Sequence, residues 1–127
     1  MAAGVYNLRL EQGASAVLEA VYSEDEAGAI PIPLTGYSGR GVIKESAIEG
    51  SPVLGVITVT VPQDLSGEVR SEFPPSMTRL LPTTGNSFSK LENYWYEVEL
   101  FNPLDAEDVI RFLNGACAVS PSLRQGV

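Results

Sequence analysis

Tyr94-Trp95-Tyr96-Glu97-Val98-Glu99-Leu100-Phe101, then a polar break, then Val109-Ile110-Arg111-Phe112-Leu113-Asn114-Gly115-Ala116-Cys117-Ala118-Val119 is the stretch whose reading decides the fold. The first run has period two. Tyr94, Tyr96, Val98 and Leu100 share one face; Trp95, Glu97, Glu99 and Phe101 share the other. Successive side chains of a strand point to opposite faces, so this pattern predicts a half-buried strand with its even positions inward. The second run is more continuously apolar and predicts the return strand. Asn102-Pro103-Leu104-Asp105-Ala106-Glu107 carries turn residues and acids, which predicts an antiparallel hairpin with a longish loop. Gly115 interrupts the return strand, and a bulge at positive φ is expected there.

Outward from this hairpin, the other segments have the same character. Val5 to Glu11 alternates, with Tyr6, Leu8 and Leu10 inward. Ala16 to Tyr22 reads as a strand with Ala16, Leu18, Ala20 and Tyr22 on one face. Ser23-Glu24-Asp25-Glu26-Ala27-Gly28 is an acidic turn without the ligand spacing of a calcium loop. Prolines in Ala29-Ile30-Pro31-Ile32-Pro33-Leu34 make it an edge strand or a connector. Tyr37 to Lys44 reads as a strand with Tyr37 and Ile43 inward; Gly39 and Gly41 leave room for bulky neighbours across the sheet. Glu45 to Pro52 is a polar loop. Leu54 to Val61 is the most β-prone run, with Ile57, Val59 and Val61 inward. Glu68 to Phe73 is a weaker strand with Val69, Ser71 and Phe73 on one side. Ser76 as an N-cap, an apolar pair and Pro82 predict a helical turn near 76–81. Thr83 to Lys90 is a polar loop containing Phe88.

Some eight short strands with turn signals between them predict an all-β fold, a β-sandwich or barrel. At 127 residues, 44% hydrophobic and 19% charged, the chain suits one globular domain over 1–121 with a short tail over 122–127. No apolar run approaches the ~20 residues of a membrane helix. Met1-Ala2-Ala3-Gly4 has neither a basic nor an apolar leader region, so no signal peptide is expected. A net charge of −8, with eight basic residues scattered among sixteen acids, argues against nucleic acid and anionic membranes as partners.

Catalytic constellations are scarce. The chain has no histidine, which removes histidine-based triads and histidine metal sites. The single cysteine, Cys117, lies among Ala116, Ala118 and Val119 and reads as a buried inert thiol. Glu97 with Glu99, or Asp105, Glu107 and Asp108, are the remaining acid pairs; on a wet strand face acids are ordinarily just solvated. Residues for catalysis, cofactor binding or metal ligation are therefore not assigned, and no enzyme is expected. The informative oddity is aromatic. Trp95 and Phe101 share the outward face with Glu97 and Glu99, as residues of a contact surface would. Cover by the loop from Thr83 to Lys90 is the competing reading.

Four segments, in order, carry a family resemblance. They are Tyr6-Asn7-Leu8-Arg9-Leu10-Glu11-Gln12-Gly13-Ala14; Pro33-Leu34-Thr35-Gly36-Tyr37-Ser38-Gly39-Arg40; the helical insert before the last hairpin; and Tyr96-Glu97-Val98-Glu99-Leu100 with Arg111-Phe112-Leu113-Asn114-Gly115 and Val119-Ser120-Pro121. Together they resemble the immunoglobulin-like N-terminal domain of upper baseplate proteins, small virion proteins of tailed phages. Pro33 departs from the aspartate usual there, and the loop from Thr83 to Lys90 is long. The resemblance implies an immunoglobulin-like antiparallel sandwich. It also implies a structural part of a phage tail or baseplate, made in the host cytoplasm and residing in the virion. Such an adaptor would attach fibres or receptor-binding proteins, in several copies, through other tail proteins rather than a small molecule. A carbohydrate-binding sandwich is the alternative, with Trp95, Phe101 or a tyrosine in a shallow cleft beside polar groups; an acid-pair enzyme is a more remote one.

Overall fold

The computed structural model describes residues 4–24, 30–83 and 91–121. The tail over 122–127, residues 84–90 with Phe88, and residues 25–28 of the acidic turn lie outside the described residues. Eight strands and one short helix follow in order: β1 (Gly4–Val5), β2 (Leu8–Glu11), β3 (Ala16–Val21), β4 (Ser38–Lys44), β5 (Val53–Thr60), β6 (Glu68–Phe73), α1 (Pro75–Thr78), β7 (Glu92–Asn102) and β8 (Asp105–Ser120).

The strands form one continuous path, β1-β8-β7-β4-β5-β6-β3, with β2 also on β8. β5 makes the continuity. Its first half pairs with β4, through Lys44↔Val53 to Gly41↔Ile57, and its second half pairs with β6, through Thr58↔Glu72 to Thr60↔Arg70. The sheet therefore curls, and its two halves bury their inner faces together. With β4, β7 and β8 in one half and β3 and β6 in the other, this is the strand division of an immunoglobulin-like sandwich. It is not wholly antiparallel, because β1 and β2 run parallel to β8.

The core is the set of inward positions. Tyr94, Tyr96, Val98 and Leu100 of β7 are buried, as period two requires, against Leu10, Ile43, Ile57, Val69, Phe73, Phe112, Cys117 and Val119. Phe73 and Tyr96 meet edge to face at 6.2 Å, as do Tyr22 and Phe112 at 6.0 Å. Gly39 and Gly41 admit their neighbours: a Cβ on Gly39 would lie 2.2 Å from Val59 Cγ1, and one on Gly41 3.0 Å from Ile57 Cβ. α1 plugs one end, with Met77 seated over Gly55. The Thr78 hydroxyl donates to the Ala14 carbonyl (2.9 Å) and accepts from the Gly13 amide (3.1 Å). The helix is shorter and starts earlier than the sequence predicts. Pro74 is its N-cap and Pro75 opens it, with no side-chain cap from Ser76.

Three further expectations are corrected. The hairpin loop is not long: Asn102 pairs with Asp105, and only Pro103 and Leu104 turn the chain. Side-chain oxygens stabilise this turn. Asn102 Oδ1 accepts the Leu104 amide (3.0 Å) and Asp105 Oδ1 the Glu107 amide (3.1 Å). Tyr6 is exposed rather than inward (53%). The first strand breaks at Tyr6-Asn7, where Asn7 Oδ1 accepts the Ala116 amide (3.0 Å) and so interrupts the alternation. Gly115 is neither bulged nor at positive φ. One bulge falls at Phe112, where the partners of Val98 and Glu99 step from Leu113 to Arg111; a second shift lies at the hairpin end, where the partners of Phe101 and Asn102 step from Val109 to Asp105. Gly115 is needed for space: a Cβ there would lie 2.2 Å from the Tyr6 carbonyl oxygen. That carbonyl also accepts the Tyr96 hydroxyl (2.5 Å).

Candidate functional site

The register sets out the outer face of β4, β7 and β8 row by row. Lys44, Trp95 and Ala116 are cross-strand neighbours; so are Val42, Glu97 and Asn114; so are Arg40, Glu99 and Arg111; and Phe101 lies between Ser38 and Val109. Cross-strand neighbours interact directly, so these rows decide the chemistry of the face.

Glu97 and Glu99, expected on the contact face with Trp95 and Phe101, each face an arginine. Arg40 Nε lies 3.4 Å from Glu99, and Arg111 Nε 3.7 Å from Glu97. Arg40 also places its guanidinium 4.7 Å from the centre of the Phe101 ring, a cation–π contact that half covers the phenyl group. Trp95 remains 41% exposed. The four predicted contact residues thus do share one face, but as two zones: an arginine-capped phenyl at one end and an open indole at the other.

The wall beside Trp95 comes from the segment joining β4 to β5. The sequence marks this only as a polar loop. It is tied by Glu45 N–H to Pro52 O (3.1 Å), Ser46 N–H to Ser51 Oγ (2.9 Å) and Ser51 N–H to Ile48 O (3.0 Å), and Gly50 turns it at φ 84°. Between this wall and the strands lies a groove of ≈ 590 Å³, lined by Trp95, Lys44, Ile48, Glu49, Glu97, Arg111 and Asn114 among others. The glycine-serine-proline closure of the loop is legible in sequence. Its position next to Trp95 depends on the pairing of β4 with β7.

The remaining chemical candidates do not converge. Asp108 accepts hydrogen bonds from the Tyr37 hydroxyl (2.7 Å) and Asn102 Nδ2 (3.4 Å), the first tying the hairpin end to the residue before β4. The bond to Asp108, then burial, raises the Tyr37 pKa. Cys117 is fully buried, and burial pushes its thiol up to about 12, which leaves little nucleophilic thiolate at neutral pH. No three His, Cys, Asp or Glu residues are grouped to hold a metal ion among the described residues. No described helix is long and apolar enough to cross a membrane.

No family model matches this chain, and no curated protein does. Solved structures similar to it include two at low identity. One is a voltage-gated sodium channel beta subunit, studied for its multimeric cell-adhesive interactions, at 13% identity and TM-score 0.41 over 94% of this chain and 93% of that one. The other is the extracellular domain of the beta4 subunit of such a channel, a parallel homodimer, at 11% identity and TM-score 0.42 over 97% of each chain.

Proposed function

We propose that the protein is a non-enzymatic structural component of a phage tail or baseplate, an adaptor that docks fibres or receptor-binding proteins through the outer face of β4, β7 and β8. The carrying observation is the pairing of Trp95, exposed, with Phe101 under Arg40 on that face. Interfaces concentrate their affinity in aromatic and arginine anchors, and both kinds are present here, flanked by salt-bridged glutamates suited to a polar rim. The ordered sequence segments support the phage assignment. The acidic chain, at −8, suits a basic partner surface, so association slows as salt rises.

The test pairs two measurements on Trp95→Ala. Incorporation into tails, or into a reconstituted complex with the other tail proteins, should weaken by about 2 kcal/mol. Thermal stability of the isolated protein should fall far less, because the indole is already partly in water. A folded variant that assembles normally while melting several kcal/mol less stable would make Trp95 a core residue and remove this interface.

A further inference from the structure

We propose that the groove between Trp95 and the 45–50 loop is a binding site for a short neutral saccharide. This goes beyond the adaptor reading and uses the end of the face remote from Phe101. The groove has a floor of paired strands and a wall tied by three hydrogen bonds, and at ≈ 590 Å³ it falls within the range of small-ligand clefts. Trp95 supplies a broad apolar surface on its edge. Lys44 stands beside Trp95 in register, and Asn114 beside Glu97.

The charges in the lining decide the ligand class. Lys44 and Arg111 are positive; Glu49 and Glu97 are negative. Two against two leaves no net charge, so neither a phosphate nor a cationic peptide is favoured. A purely apolar ligand would bury these polar groups without partners. Lys44, Glu49 and Asn114 make no side-chain hydrogen bonds or ion pairs to other described residues, so their polar ends are available to a ligand. A sugar ring matches this lining. Its C–H face stacks on an indole, and each hydroxyl both donates and accepts. The lining offers donors in Lys44 and Arg111, acceptors in Glu49 and Glu97, and both in the Asn114 amide.

Trp95 is the only tryptophan in the chain, so intrinsic fluorescence reads the groove directly. The full-length protein is titrated with maltotriose, cellotriose and triacetylchitotriose at millimolar concentrations, with sialyllactose as the charged comparison. We expect saturable binding of at least one neutral sugar, insensitive to added sodium chloride. Asn114→Ala should weaken it about tenfold with an unchanged melting curve. Lys44→Ala serves as a second probe should the first variant fold poorly. Three outcomes overturn the proposal: no saturable change with any neutral sugar, a response to sialyllactose alone, or unchanged affinity in both variants. Trp95 serves both readings, so Trp95→Ala does not separate them; Arg40→Ala, whose side chain lies outside the groove, reads tail incorporation alone, and Asn114→Ala reads the sugar alone.

Discussion

The two faces of β7 are made from one run of residues and have opposite roles. Leu100 and Val98 are wholly buried, and Tyr96 and Tyr94 nearly so, with their hydroxyls carried to carbonyls at the sheet's margins: Tyr96 to Tyr6 and Tyr94 to Pro82. One residue along, Glu97 and Glu99 are half-buried beside arginines, Phe101 is half covered and Trp95 is open. The inner face stabilises the fold by burial; the outer face adds little stability and is free to carry recognition. Substitutions on neighbouring residues of the same strand should therefore separate stability from binding.

The largest expected effect is on the inner face. Leu100→Ala should destabilise the protein by about 3–5 kcal/mol, through lost burial and the cavity left behind. Chemical denaturation of the isolated protein measures it; a loss under about 1 kcal/mol would mean that the inner face is loosely packed. Alkali tests the same face without mutation. Burial raises Cys117 from 9.0 to about 12 and Tyr96 from 10.0 to about 12. Both groups are neutral when protonated, so the unfolded chain releases its protons first. Their contribution is fully present well below pH 9 and is lost progressively as pH rises towards 12. Denaturant midpoints at neutral pH and at pH 11 give the difference, and equal midpoints would exclude it.

Gly115→Val should cost about 2–3 kcal/mol by driving the Tyr6 carbonyl off the sheet. Hydrogen exchange should then accelerate in β1 and β2 before it does in β7. Uniform acceleration would show that the first strands are not held at this contact. The smallest effect belongs to the outer face. Glu99→Gln removes the Arg40 ion pair, which is exposed, so stability should change by less than about 0.5 kcal/mol. A larger loss would make that face structural and weaken the contrast with Leu100.

Much of this was legible in the chain. Period two assigned the faces of β7, β5 and β6 correctly, because each strand has one wet and one buried side. Cys117 and the spacing glycines, Gly39 and Gly41, were legible for the same reason. Tyr6 was misread because alternation assumes an unbroken strand, and the Asn7 side chain interrupts this one from within. Gly115 was given the wrong cause: a glycine reports that something special occurs, but not whether it is a torsion or a neighbour. The long hairpin loop was misread because Asn102 and Asp105 serve equally in loops and in two-residue turns.

Composition and periodicity by themselves determined the class of fold, the inward residues of the unbroken strands and the lack of histidine chemistry, since these depend on each residue's own size, polarity and place in the alternation. Tertiary structure alone decided that β5 belongs to both halves of the sheet, that Tyr6 lies over Gly115, that Arg40 covers Phe101, and that the 45–50 loop stands beside Trp95. Each of these joins residues far apart in the chain. Their meeting depends on strand register, which is set by the packing of the whole core and by no local pattern.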